Sequence, residues 1–190
     1  EHLINGFHFL VVLVLIMLCS LGPDFFEPVF TYLKDNSDLI VLISMAFLPV
    51  IYTLGLIIDH FLDDCIFSKW EKRIRNENEM GKKSSRELIM LTNDQNQASQ
   101  LDLIRTKIRI TRTMSFNYLC ITICSFFFII LHKDPDTEHY FTIILLILVG
   151  GFSLTVLSYL SWKGNTVTFC KRVIDGYEMM NKKNKKERSS

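Results

Sequence analysis

A chain of 190 residues that is 49% hydrophobic, with mean hydropathy +0.24 and a formal net charge of +1, is too apolar for an ordinary soluble protein and apolar enough for a membrane domain. The near-neutral total conceals a strong segregation of charge along the chain, so only the local balances bear on partners. No phosphate-binding glycine loop, nucleophile elbow, zinc motif or acid pair within an apolar block is present, so catalysis is not expected and no cofactor is implied.

The apolar residues fall into four blocks free of Asp, Glu, Lys and Arg: Leu3 to Leu21, Leu39 to Ile58, Met114 to Leu131 and Tyr140 to Leu160. At about 1.5 Å per residue each can cross a hydrocarbon core of about 30 Å as a continuous helix, the one form that satisfies its backbone amides internally. The first block has no basic flank and no small-x-small cleavage site before Asp24, so it is expected to be a retained span and not a removed signal. Asn5 and His8 within it are one turn apart and are expected to hydrogen-bond to a neighbouring helix. In the second block Pro49 predicts a kink.

Sidedness follows from the basic residues. Segments 22–37 and 132–139 hold one each, Lys34 and Lys133, whereas 59–113 holds eleven and 161–190 holds eight. The positive-inside rule then places both termini and the long central loop on the cytoplasmic side, and the short, acidic outer loops leave no room for an external domain. Attraction of anionic lipid, worth about 1 kcal/mol per residue near the surface, accounts for much of this basic face.

The loop 59–113 has the pattern of helices. Phe61, Leu62, Ile66, Phe67, Trp70 and Ile74 continue an apolar face beyond the second span. Gly81 divides the loop, Ser84 with Glu87 forms a capping box, and Ser99 with Asp102 forms a weaker one. The Asn- and Gln-rich run Thr92 to Gln100 reads as a mobile loop or frayed helix. From Leu101 to Thr113 an apolar stripe, Leu101, Ile104 and Ile108, runs beside a basic one, Arg105, Arg109 and Arg112, and leads into the third span. Asp59, His60, Asp63 and Asp64 have the spacing to hold a divalent metal, but an ion-pair belt with Arg105, Arg109 or Arg112 is the expected role, and no metal is assigned.

Small residues mark the third and fourth spans. Cys120 and Cys124 read as packing residues, disulfides are not expected, and Gly150, Gly151, Thr155 and Ser158 form a surface suited to close helix contact within a homo-oligomer. After the fourth span Val167, Cys170, Ile174 and Tyr177 recur at helical intervals before the basic tail. Arg105, Lys107, Arg109 and Arg112, with Lys182, Lys183, Lys185 and Lys186, are the expected contacts for a cytosolic protein partner or anionic lipid. Direct nucleic-acid binding is not expected, because the tail lacks interleaved aromatics.

The predicted fold class is therefore all-α: a four-helix transmembrane protein in which residues 59–113 and 161–190 form a helical cytoplasmic subdomain. Its layout, with Tyr52, Leu54-Gly55, Ile58-Asp59, Asp63, Trp70 and the basic stem Arg105 to Arg112, resembles small four-span bacterial membrane proteins of anti-phage defence systems, among them the membrane subunit of the Kiwa system. That resemblance implies an oligomeric inner-membrane sensor of phage attack coupled to a cytosolic DNA-binding subunit, and it assigns no residue a role. The alternative expectation is a pore-forming effector lined by Thr53, Asn117, Thr122, Ser125, Thr155 and Ser158. A pump is disfavoured, because the cores of the spans lack acids and bases.

Overall fold

Every regular element in the computed structural model is helical, and the described residues, which are all except 79, 81–83, 93–94, 133–138 and 189–190, contain no strand. The side chains at 30, 37, 90–92 and 183–188 also fall outside the description, as does the expected break at Gly81. Four helices are long and apolar enough to cross a membrane, as the charge-free blocks require.

Helix α1 (His2–Leu21) ends at Gly22, whose φ of 81° lies in the left-handed region and whose N–H caps the Leu18 carbonyl at 3.0 Å. A short helix, α2 (Glu27–Asp35), then occupies the segment expected to be a simple connector; it carries Pro28 and Glu27 in its first turn and Lys34 in its last. Phe25, Val29 and Tyr32 are exposed on and beside it, an apolar surface of the kind that settles at a lipid headgroup boundary. Helix α3 (Ser37–Phe61) runs through Pro49, with the Thr53 hydroxyl donating to the Pro49 carbonyl at 2.9 Å. It does not stop at the end of its apolar block. A π-helical turn (Leu62–Phe67) joins it to α4 (Ser68–Glu77), so that one rod covers Asp38–Glu77.

After α5 (Ser85–Thr92), α6 (Gln95–His132) passes without interruption from polar sequence into the third apolar block. It begins before Ser99, so the second expected helix start is not used, and residues 95–100 are helical instead of frayed. Contacts with the last helix help hold this end: Arg172 donates to Gln100 at 2.6 Å, and Gln97 sits against Gly176. Helix α7 (Tyr140–Arg188) is the longest element and takes in the described residues of the C-terminal extension.

The apolar parts pack as an open row. Helix α1 lies between α3 and α6 and α6 lies between α1 and α7, whereas the backbones of α3 and α7 do not come close among the described residues. Between α1 and α3 the backbones meet at Gly6 and Gly55: a Cβ on either would run into backbone of the other helix, at the Ile51 carbonyl or the His2 carbonyl. Between α6 and α7, Thr122 fills the place a Gly151 side chain would take. Much of what is buried here is small or polar, as at Asn5, Gly6, Gly55, Ser115, Asn117 and Thr122, beside Val12, Ile58 and Ile129, while most of the Leu, Ile, Val and Phe side chains point outward; none of the apolar window of α7 is buried. The accessible surface of 13059 Å² compares with roughly 9400 Å² for a compact soluble chain of this mass. Such a surface fits lipid contact, since hydrocarbon does not penalise apolar exposure.

Among the described residues a conventional hydrophobic core forms at the polar end, where α4, α5 and the outer parts of α6 and α7 meet. Leu62, Phe67, Ile74, Leu88, Leu101, Ile104, Trp162, Phe169 and Val173 form it within one chain. The row closes there on aromatic contacts, Phe67 on Trp162 at 4.9 Å and Trp70 on Tyr159 at 5.8 Å between ring centroids. The apolar stripes read from the sequence after the second and fourth spans therefore pack against one another in the same chain.

Candidate functional site

Where the apolar blocks give way to this extension, three rods place charged residues at one level. The π turn and the end of α3 bring Asp59 and Asp63 to one side, and α6 brings Arg109 and Arg112 to meet them. Arg112 is only 2% exposed; it donates to Asp59 Oδ1 at 2.7 Å, to the Asp59 carbonyl at 3.3 Å, and to Asp63. Arg109 reaches Glu1 at the start of α1 at 3.0 Å and stands 3.9 Å from Asp59. The hydrogen bond that Arg109 donates to Glu1, only partly opposed by desolvation, holds its guanidinium above its ordinary range. Five groups thus tie α1, α3 and α6 together at the edge of the apolar zone.

Arg105, the first arginine of the stripe, belongs to a different neighbourhood. It donates to Asp102 at 3.1 Å and to Ser85, and its guanidinium lies 5.6 Å over the Phe169 ring. The expected belt is therefore built from Arg112 and Arg109, with Asp59 and Asp63 as their acids. His60 and Asp64 approach each other at 3.4 Å on an exposed face, away from it, and no group of three metal-ligating side chains occurs among the described residues.

Beside this cluster a cavity of about 510 Å³ opens between the end of α4, the start of α5 and the stretch 105–112 of α6. Arg75, Arg86, Arg105, Arg109 and Arg112 all reach its wall, against Asp63 and Glu71. Arg75 donates to Glu71. Lys107 faces elsewhere, into a separate groove of about 300 Å³ between α6 and α7 shared with Arg172. Lys182 is exposed on the helical tail; the side chains of Lys183, Lys185 and Lys186 lie outside the described residues.

Of the expected packing surface, Gly151 and Thr155 turn toward α6 of the same chain, where the Thr155 carbonyl accepts from Ser115 at 3.4 Å, and Ser158 is half-buried. Gly150 faces out, with nothing within 4 Å of the position of a Cβ. Asn117 donates to the backbone carbonyl of Asn5 at 3.3 Å, but the Asn5 side-chain amide has no hydrogen-bond partner among the described residues and His8 turns back to the Ile4 carbonyl at 2.9 Å, so neither side chain makes the interhelical bond expected of it. Glu1 and Gly6 are not singled out by sequence, and Gly55 enters there only as part of the resemblance, with no packing role. A lone acid ahead of a span gives no signal, while the two glycines were discoverable as small residues in otherwise bulky blocks. Comparison of the chain with protein-family models, curated proteins and solved structures finds no match.

Proposed function

We propose that the chain is a non-catalytic, multi-pass protein of a bacterial inner membrane, with both termini cytoplasmic, that assembles as a homo-oligomer and couples a membrane event to a soluble partner as a sensor or scaffold. Phage attack is the event that the sequence resemblance suggests. One observation carries the reading: three rods run unbroken out of the apolar zone into a packed polar extension, and two of them, the α3–α4 rod and α6, are joined at its edge by Arg112, Asp59 and Asp63. A displacement of the spans in the bilayer must then reach the extension, where Lys107 and Arg172 line an open groove and Lys182 is exposed. The pore reading gains less support, because Asn117 and Thr122 are buried between helices of one chain.

Sidedness is testable with the native cysteines. Cys65 is exposed in the π turn, whereas Cys170 is buried and its burial pushes the thiol up, which slows its reaction with maleimides. A membrane-impermeant maleimide is expected to label Cys65 in inverted vesicles and not in intact spheroplasts; the opposite pattern sinks the assigned orientation.

The coupling itself is tested by crosslinking in the native host and purification in mild detergent. A defined oligomer carrying a stoichiometric soluble protein, which is lost when Lys107→Glu, Arg172→Glu and Lys182→Glu are combined, is the expected result. Protein that carries no partner but passes small ions when reconstituted alone in liposomes would replace this reading with the pore.

A further inference from the structure

Five arginines around one cavity, in a chain with 21 basic residues, is a concentration that helix amphipathicity does not require. Four of the five are held from behind or from the side by partners: Arg75 by Glu71, Arg105 by Asp102 and Ser85, Arg109 by Glu1, and Arg112 by Asp59 and Asp63. Each guanidinium has five N–H donors, and these contacts consume only some of them. The carboxylates therefore fix the orientation of the arginines and leave donors over. Arg86 makes no ion pair among the described residues. Ser84 and Ser85, at the N-terminal end of α5, complete the rim, where a helix dipole also favours negative charge.

We propose that this cavity binds a phosphate ester. A carboxylate ligand matches one arginine fork, whereas the terminal oxygens of a phosphate can accept from several guanidinium groups at once. The volume of about 510 Å³ is several times that of one phosphate group and falls within the usual range for small-ligand sites, so the group arrives attached to something larger. Met80, Ile108 and Phe169 supply an apolar portion of wall for that remainder. Two sources share this chemistry. Asp63 and Arg112 of the wall stand at the edge of the apolar zone, the depth of a phospholipid headgroup, and the cavity also opens toward the polar end, from which a nucleotide can enter. The inference rests on the reading of the extension as the protein's receiving end and specifies what it receives.

The test uses the intact protein in an uncharged, phosphate-free detergent, with the thermal unfolding midpoint read at constant ionic strength against sodium chloride. The probes are inorganic phosphate, ATP and dioctanoyl phosphatidylglycerol. A midpoint raised by dioctanoyl phosphatidylglycerol alone identifies a lipid headgroup, and one raised by ATP and inorganic phosphate identifies a soluble phosphate. In either case the combined Arg86→Gln and Arg105→Gln variant, which leaves the Arg112 cluster intact, is expected to weaken binding by at least about tenfold. The Lys107→Gln variant, whose side chain faces the other groove, keeps wild-type affinity. If no probe moves the midpoint beyond chloride, or if the double variant binds as the wild type does, the site is overturned. Partner recruitment is measured separately, so loss of this site leaves the coupling reading standing and failure of coupling leaves the site standing.

Discussion

Gly55→Ala should destabilise the protein by more than the roughly 1–3 kcal/mol of ordinary overpacking, although the same substitution at an open helical position normally stabilises by up to about 1 kcal/mol. The reversal of sign follows from geometry. A Cβ at position 55 would collide with the His2 carbonyl oxygen and lie 2.7 Å from its carbon and 3.0 Å from the Gly6 amide nitrogen. These are backbone atoms of another helix, which cannot swing aside as a side chain can, so α1 and α3 must separate. Gly6→Ala meets the Ile51 carbonyl in the same way. Gly164, on the polar part of α7, has nothing within 4 Å, and Gly164→Ala is the comparator expected to be neutral or stabilising. Reversible unfolding in mixed detergent micelles, followed by far-UV circular dichroism, measures all three. Equal effects at 55 and 164 would show that the glycine crossing does not hold α1 to α3.

Arg112→Met should cost roughly 3–5 kcal/mol, because it leaves Asp59 and Asp63 facing each other without their shared cation at a site closed to water on the Asp59 side. Arg112→Lys should recover only part of this, since an ammonium lacks the planar fork that reaches two acids and a backbone carbonyl together. Combining Arg112→Met with Asp59→Asn and Asp63→Asn removes all three charges, and the expected result is stability closer to wild type than that of Arg112→Met alone. The cluster then counts as a device that sets the register of α3 against α6 more than as a source of net stability. The same unfolding assay, run as a mutant cycle, checks it: additive losses across the three substitutions would mean that the charges do not act as a unit.

Much of the architecture was legible because membrane insertion imposes a coarse code. A block without charge that is long enough to span has one viable structure, and the run of Leu101, Ile104 and Ile108 into Met114 foretold that α6 continues across the boundary. The helix α2 was not legible, because nine residues with Pro, Lys and two acids satisfy no periodicity strongly. Nor was the π turn, since an extra residue in a helix leaves no mark on composition. At the site, the spacing of Arg105, Arg109 and Arg112 placed all three in one stripe, and a stripe does not say which member is buried. That depends on depth: Arg112 is the one that meets Asp59, and Arg105 lies two turns farther into the extension beside Ser85 and Phe169. The core shared by α4, α5 and α7 was visible as apolar stripes whose pairing within one chain only tertiary structure supplies.

The length of α7 has a mechanical consequence. From Gly150, near the middle of its apolar part, to Arg188 the helix extends roughly 57 Å, nearly twice the thickness of the hydrocarbon it crosses. Spans accommodate changes in bilayer thickness by tilting, and a change of about 10° pivoted at that midpoint sweeps the far tip sideways by about 10 Å. The contacts of Trp162 with Phe67 and of Tyr159 with Trp70 lie within about a third of the arm from the pivot and shift by only about 2–3 Å. Those around Arg172 and Gly176 lie farther along the arm, so Gln100 and Leu88 must follow or let go. Held near its fulcrum and loaded near its tip, α7 has the geometry of a lever with a gain greater than one, in which a small change of tilt within a bilayer would emerge as a larger displacement at the far end.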